Sequence, residues 1–100
     1  METRARLYIS RLLPDPVMTA AREWFDLVEE PRDMLPHPPA LREGLCQADA
    51  AIVTLGDRID AETIHAATRL KILANYAVGY NNINLAAARQ RSLIVTNTPD

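Results

Sequence analysis

Five short segments of strand character, the first four each followed by a stretch of helical spacing, constrain this chain more than any other feature. They are RLYIS (6–10), DLVEE (26–30), AAIVTL (50–55), KILANY (71–76) and LIVTN (93–97). All have strand length, and the third is rich in β-branched residues at its end. A helix between consecutive strands makes those strands run parallel, and a parallel sheet needs cover on both faces. The predicted fold is therefore α/β: an open, doubly wound, five-stranded parallel sheet in the flavodoxin-like order 2-1-3-4-5.

The intervening segments support helices of unequal strength. In LPDPVMTAAREWF (13–25), Asp15 is placed to cap a helix and Pro16 falls where its missing N–H is harmless. Val17, Ala20, Ala21, Trp24 and Phe25 recur at helical spacing and are predicted to form its buried stripe. PRDMLPHPP (31–39) holds four of the seven prolines and reads as loop. A helix over ALREGLCQAD follows, weakened by Gly44. Asp60 and Asn84 are placed to cap the next two helices. RQR (89–91) complements the dipole at a helix C-terminus.

Composition narrows the function classes. One hundred residues make one domain, and 48% hydrophobic content is enough for a core. A net charge of -2 gives no reason to expect nucleic acid or an anionic membrane as partner. The single cysteine, Cys46, forms no internal disulfide and reads as a small buried hydrophobe. No Cys/His cluster points to a metal. No apolar stretch reaches the ~18 residues of a membrane span, and the N-terminus lacks the apolar core of a signal peptide. These features fit a cytoplasmic protein.

In doubly wound sheets, ligands bind beyond the carboxyl ends of the strands. Ser10, Leu55 and Asn97 follow the first, third and fifth strands, so the carboxylates and lysine of a phosphate-receiving regulator are missing. SRLLPDP is too bulky for a flavin phosphate loop, and no G-x-G-x-x-G dinucleotide fingerprint occurs. What remains is the turn NYAVGYNN (75–82), which holds one of three glycines. Gly79 with φ > 0 would let successive N–H groups converge on an anion. It could equally serve only to turn the chain toward the next helix. Tyr76 and Tyr80 flank this turn. Glu29–Glu30 and the Asp57/Asp60 pair read as solvated loop carboxylates, and His37 and His65 as surface or structural residues.

The segment LKILANYAVGYNNINLAAARQRSLIVTNTPD (70–100) resembles the D-isomer-specific 2-hydroxyacid dehydrogenase family, and within it the glyoxylate/hydroxypyruvate reductases. ADAAIVTLGDRIDAETI agrees more loosely. Two family aspartates of the turn appear here as Asn81 and Asn84. The resemblance implies that residues 1–100 are the N-terminal part of a substrate-binding domain whose NAD(P)-binding Rossmann domain is absent from this chain. It implies that the Val78 and Gly79 N–H groups hold the carboxylate of a small 2-keto or 2-hydroxy acid and that Leu55 lines the substrate pocket. The family's catalytic arginine, glutamate and histidine are expected beyond Asp100, the last residue of the sequence. No catalytic, cofactor-binding or metal residue is therefore assigned within this chain. The expected whole enzyme uses NAD or NADP and is a homodimer, while this segment alone is inactive. The alternative is a free-standing flavodoxin-like binding or regulatory module.

Overall fold

The computed structural model describes residues 4–98. Asp100, beyond which the catalytic residues are expected, lies outside the described residues. The order of elements is β1 (Arg6–Ile9), α1 (Asp15–Trp24), β2 (Asp26–Leu27), α2 (Pro38–Cys46), β3 (Ala50–Thr54), α3 (Ala61–Ala66), β4 (Ile72–Tyr76), α4 (Leu85–Gln90) and β5 (Ile94–Asn97). The strands form one sheet in the order β2-β1-β3-β4-β5, every neighbouring pair parallel. Both the fold class and the strand order match the sequence-based expectation. The register Leu7–Ala50–Ile72–Ile94 crosses four strands and fixes which residues share a face.

That register divides the molecule into two unequal cores. Tyr8, Ala51, Val53 and Leu73 face helices α2, α3 and α4, and with Leu45, Ile64 and Leu70 they form the larger one. Leu7 and Ile9 face α1, where Met18 and Ala21 close a smaller cluster. Helix α1 reaches only as far as Ala50 and Ile52, so Ile72 and Ile94 on the same face stay exposed.

Several boundaries and contacts differ from expectation. The N-cap of α1 is Pro14, not Asp15, and makes no side-chain cap bond. Asp15 is the first helical residue, where its charge still favours the helix N-terminus. Of the expected stripe, Ala21 is buried and Phe25 half-buried, and Met18 joins them; Trp24 is 70% exposed, and Val17 and Ala20 are exposed too. Both phases have helical spacing, and the larger Met18 side chain fits over β1. Helix α2 begins at Pro38, inside the stretch expected to be loop. Proline is tolerated in a first turn, because those N–H groups have no partner in the helix anyway. Strand β2 is only Asp26–Leu27, since Glu29 and Glu30 diverge into the loop. Cys46 is half-buried rather than buried.

Candidate functional site

The carboxyl edge of the sheet carries three chain segments: Ser10–Arg11 after β1, the turn Leu55–Asp57 after β3, and residues 77–84 after β4. Parallel pairing ends at Thr54–Tyr76, so Leu55 and Ala77 leave the sheet side by side. Asp60 and Asn84 cap α3 and α4 as expected, accepting from Thr63 N–H at 2.9 Å and Ala87 N–H at 3.0 Å. These caps fix where the β3 and β4 turns end.

Asn75 and Asn82 form a reciprocal side-chain amide pair beneath the turn. Asn75 Nδ2–H donates to Asn82 Oδ1 at 2.9 Å, and Asn82 Nδ2–H donates back to Asn75 Oδ1 at 3.1 Å. Asn75 Nδ2–H also donates to the Gly79 carbonyl at 2.8 Å. Asn82 Nδ2–H donates to the Thr54 carbonyl at 3.1 Å and the Asp57 carbonyl at 2.9 Å. Carbonyl oxygens only accept, so they dictate which end of each amide is nitrogen. Asn75 is only 2% exposed, at a depth where an unpartnered amide is costly.

Within the turn, Ala77 N–H donates to the Asn75 carbonyl at 2.8 Å, and Thr98 N–H donates to the Ala77 carbonyl at 3.0 Å. Neither Val78 N–H nor Gly79 N–H donates to any acceptor among the described residues. Gly79 does not have the φ > 0 expected of it; no described glycine does. The Asn75 amide anchors the turn from below, so no left-handed residue is needed to close it. A Cβ built on Gly79 would meet nothing within 4 Å. Val78 is 59% exposed and Leu55 60% exposed, both at the same edge of the sheet.

Asp57 corrects a second expectation. It is not a solvated loop residue but is 2% exposed. Its Oδ2 accepts from Ser10 Oγ–H, from Thr54 N–H at 2.8 Å and from Thr54 Oγ1–H at 3.2 Å. Its Oδ1 has no partner among the described residues. This carboxylate ties the end of β1 to the turn after β3, and Asn82 ties that turn to the one after β4. Neither role was read from sequence. NNIN offers three asparagines, and only the fold shows which one points inward.

The remaining candidates fall elsewhere. His37 and His65 are both exposed, as expected; Glu29 and Glu30 are exposed too, and Glu30 pairs with Arg22 at 2.9 Å. Tyr80 Oη–H donates to Asn97 Oδ1 at 2.7 Å, linking the turn to β5, while Tyr76 is exposed. A cleft of about 340 Å³ lies between β1 and the proline-rich loop, lined by Tyr8, Ser10, Arg32 and Leu35 among others, and none of Leu55, Val78 and Gly79 borders it. Burial pushes the Tyr8 phenol up to about 12, with the charges of Glu29 and Asp57 adding to the effect. Among the described residues no group of three or more His, Cys, Asp or Glu converges as metal ligands. No described helix is long and apolar enough to cross a membrane.

Comparison with known proteins gives these features a family context. The profile of the D-isomer specific 2-hydroxyacid dehydrogenase catalytic domain matches residues 13–100. The chain is 38% identical over 97 residues to a glyoxylate reductase of Thermococcus kodakarensis, and 39% identical over 99 residues to one of Pyrococcus furiosus. Each match covers 97% of this chain and 29% of the relative, so the chain spans less than a third of their length. The TT0316 protein from Thermus thermophilus superposes with a TM-score of 0.85 at 36% identity, covering 94% of this chain and 30% of that one. NAD+-bound 3-phosphoglycerate dehydrogenase of Entamoeba histolytica superposes with a TM-score of 0.77 at 25% identity, covering 97% of this chain and 33% of that one.

Proposed function

Because this chain belongs to the D-isomer specific 2-hydroxyacid dehydrogenase family, we propose that it is the substrate-gripping segment of an oxidoreductase. The whole enzyme interconverts a small 2-keto acid, such as glyoxylate or hydroxypyruvate, and its D-2-hydroxy acid. In this reading the N–H groups of Val78 and Gly79 bind the substrate carboxylate, and Leu55 walls the pocket beside them. Two N–H donors to one carboxylate make charge-assisted hydrogen bonds and orient C2 for reaction. Leu55 limits substrate size and excludes water.

One observation carries the reading. The Val78 and Gly79 amides have no acceptor among the described residues, and the space beside Gly79 is open. Neither φ nor crowding within the chain requires glycine there. Close approach of a ligand to the backbone is the use that remains.

These residues do not fit a dinucleotide. Gly44 lies in α2 against Tyr8, Gly56 lies under Leu35, and β1 leads into Leu12 and Leu13 rather than a glycine-rich turn. The NAD or NADP that supplies hydride belongs, in this proposal, to the Rossmann domain of the longer protein. The residues that polarise the carbonyl and transfer the proton are likewise proposed to follow Asp100. The segment's part is binding and orientation. The whole enzyme is taken to be a cytoplasmic homodimer.

Titration of the 15N-labelled chain with oxalate tests the carboxylate site. Val78 and Gly79 amides should shift more than any others, and Gly79→Val should abolish those shifts. Shifts at Val78 and Gly79 no larger than those of distant amides would defeat the assignment.

A further inference from the structure

The peptide planes of the turn show what holds its free amides in place. No described peptide bond is cis, so each C=O points opposite to the N–H of the following residue. Thr98 N–H grips the Ala77 carbonyl, which fixes the plane carrying Val78 N–H and turns that N–H away from β5. Asn75 Nδ2–H grips the Gly79 carbonyl, which fixes the plane between Gly79 and Tyr80. The plane carrying Gly79 N–H lies between these two held planes. One clamp is backbone and comes from the chain just after β5. The other is a side chain, and its orientation depends on Asn82.

Asn82 is held in turn from a different segment. Its Nδ2 protons reach the carbonyls of Thr54 and Asp57, on either side of Leu55 and Gly56, as well as Asn75 Oδ1. Two N–H bonds serve three acceptors, so one proton is shared. The same side chain therefore registers the Leu55 turn against the Val78–Gly79 turn. Both turns are otherwise surface loops, which have more freedom than the strands they follow.

We propose that Asn75 and Asn82 are positioning residues: their amide pair holds the peptide plane that follows Gly79, thereby restricting the direction of the Gly79 N–H beside the plane that Thr98 holds, and sets the distance between that turn and Leu55. The proposal rests on the reading of this turn as a carboxylate site. Asn75 acts directly on the turn, and Asn82 acts through Asn75 and the β3 turn.

The test uses the whole 100-residue chain, 15N-labelled, with oxalate as the probe. Asn82→Ala is compared with the parent and with Asn84→Ala, which removes a helix cap nearby but no bond to the turn. Without ligand, the Gly79 order parameter should be about 0.85 in the parent and fall toward about 0.6 in Asn82→Ala, with a smaller fall at Val78, whose plane Thr98 still holds. The amide shifts of Leu45 and Leu73, deep in the core, should stay unchanged and report an intact fold. Oxalate affinity should fall by roughly tenfold in Asn82→Ala and by less than about twofold in Asn84→Ala. Unchanged order parameters or unchanged oxalate affinity in a folded Asn82→Ala would overturn the proposal. A parent chain that does not bind oxalate defeats the carboxylate reading, and the order parameters then judge the amide pair alone. If Asn82→Ala does not fold, the parent decides. The side-chain NH2 protons of Asn75 and Asn82 should exchange with solvent far more slowly than those of exposed Asn81, and equal rates would overturn the pair.

Discussion

Two glycines in this chain are small for different reasons. A Cβ on Gly44 would overlap the ring of Tyr8, a residue buried at the centre of the larger core. The glycine that weakens α2 by propensity is the one that lets α2 lie flat on β1. Gly44→Ala should therefore lower stability by about 1–3 kcal/mol despite alanine's better helix propensity, as overpacking does elsewhere. Urea unfolding of the two chains measures it, and an alanine variant as stable as the parent would mean that Tyr8 moves freely. Gly79 differs, because nothing among the described residues occupies the space beside it. In the proposed function that space is where the substrate carboxylate approaches the backbone.

At the scale of elements, the short helices depend on their ends. Helix α3 has six residues, too few to be stable without tertiary support, and Asp60 satisfies one of its orphan N–H groups. The bond from Thr63 N–H is also the main reason the Asp60 carboxyl titrates below its usual range. A carboxyl with a lowered folded pKa adds stability above its unfolded value and loses that stability as pH falls through the folded one. Asp60→Ala should thus cost about 1 kcal/mol near neutral pH, with the gap to the parent narrowing below about pH 4. A gap that stays constant down to acid pH would show that the cap bond contributes nothing. Helix α4 ends in a Schellman arrangement: Leu93 N–H donates to the Ala88 carbonyl at 2.9 Å and Ser92 N–H to the Arg89 carbonyl at 3.2 Å. The left-handed position is filled by Ser92, with φ 59, where glycine is the usual choice. Ser92→Gly should raise stability by about 0.5–1 kcal/mol, readable as a higher urea midpoint. A lower midpoint would show that the serine side chain contributes more than its backbone conformation costs.

At the scale of the molecule, cover is one-sided. Three helices lie over the face of Tyr8 and Leu73, and only α1 lies over the other, so Ile72 and Ile94 are open to solvent. The candidate site is likewise one wall of a pocket: two backbone donors and a leucine at the edge of a sheet. In the proposed function the other wall comes from the rest of a longer protein, of which this chain matches 29% in the relatives. The purified chain should consequently oxidise neither NADH nor NADPH with glyoxylate or hydroxypyruvate. Loss of reduced-nicotinamide absorbance is the measurement, and turnover above the enzyme-free rate would reverse the division of labour argued here.

The chain's own order of apolar runs and helical spacings determined the sheet, its parallel sense and its strand order, because period and crossover length are local and topological properties. The caps at Asp60 and Asn84 were legible for the same reason, since a cap bond spans three residues. The turn after β4 was legible as a place, but not in its mechanics. Its anchor runs from Asn75 to Gly79 and through Asn82 to Thr54 and Asp57, partners up to 28 residues apart in sequence. The stripe of α1 was read in part: Ala21 and Phe25 pack inward, but 3.6-residue spacing admits either Met18 or Val17, Ala20 and Trp24 beside them, and only the shape of the sheet chooses. Burial of Asp57, room for Gly44 beneath Tyr8 and the freedom of the Val78 and Gly79 amides were decided by tertiary structure. Each depends on which distant atoms arrive at the same point in space, and local sequence carries no record of that.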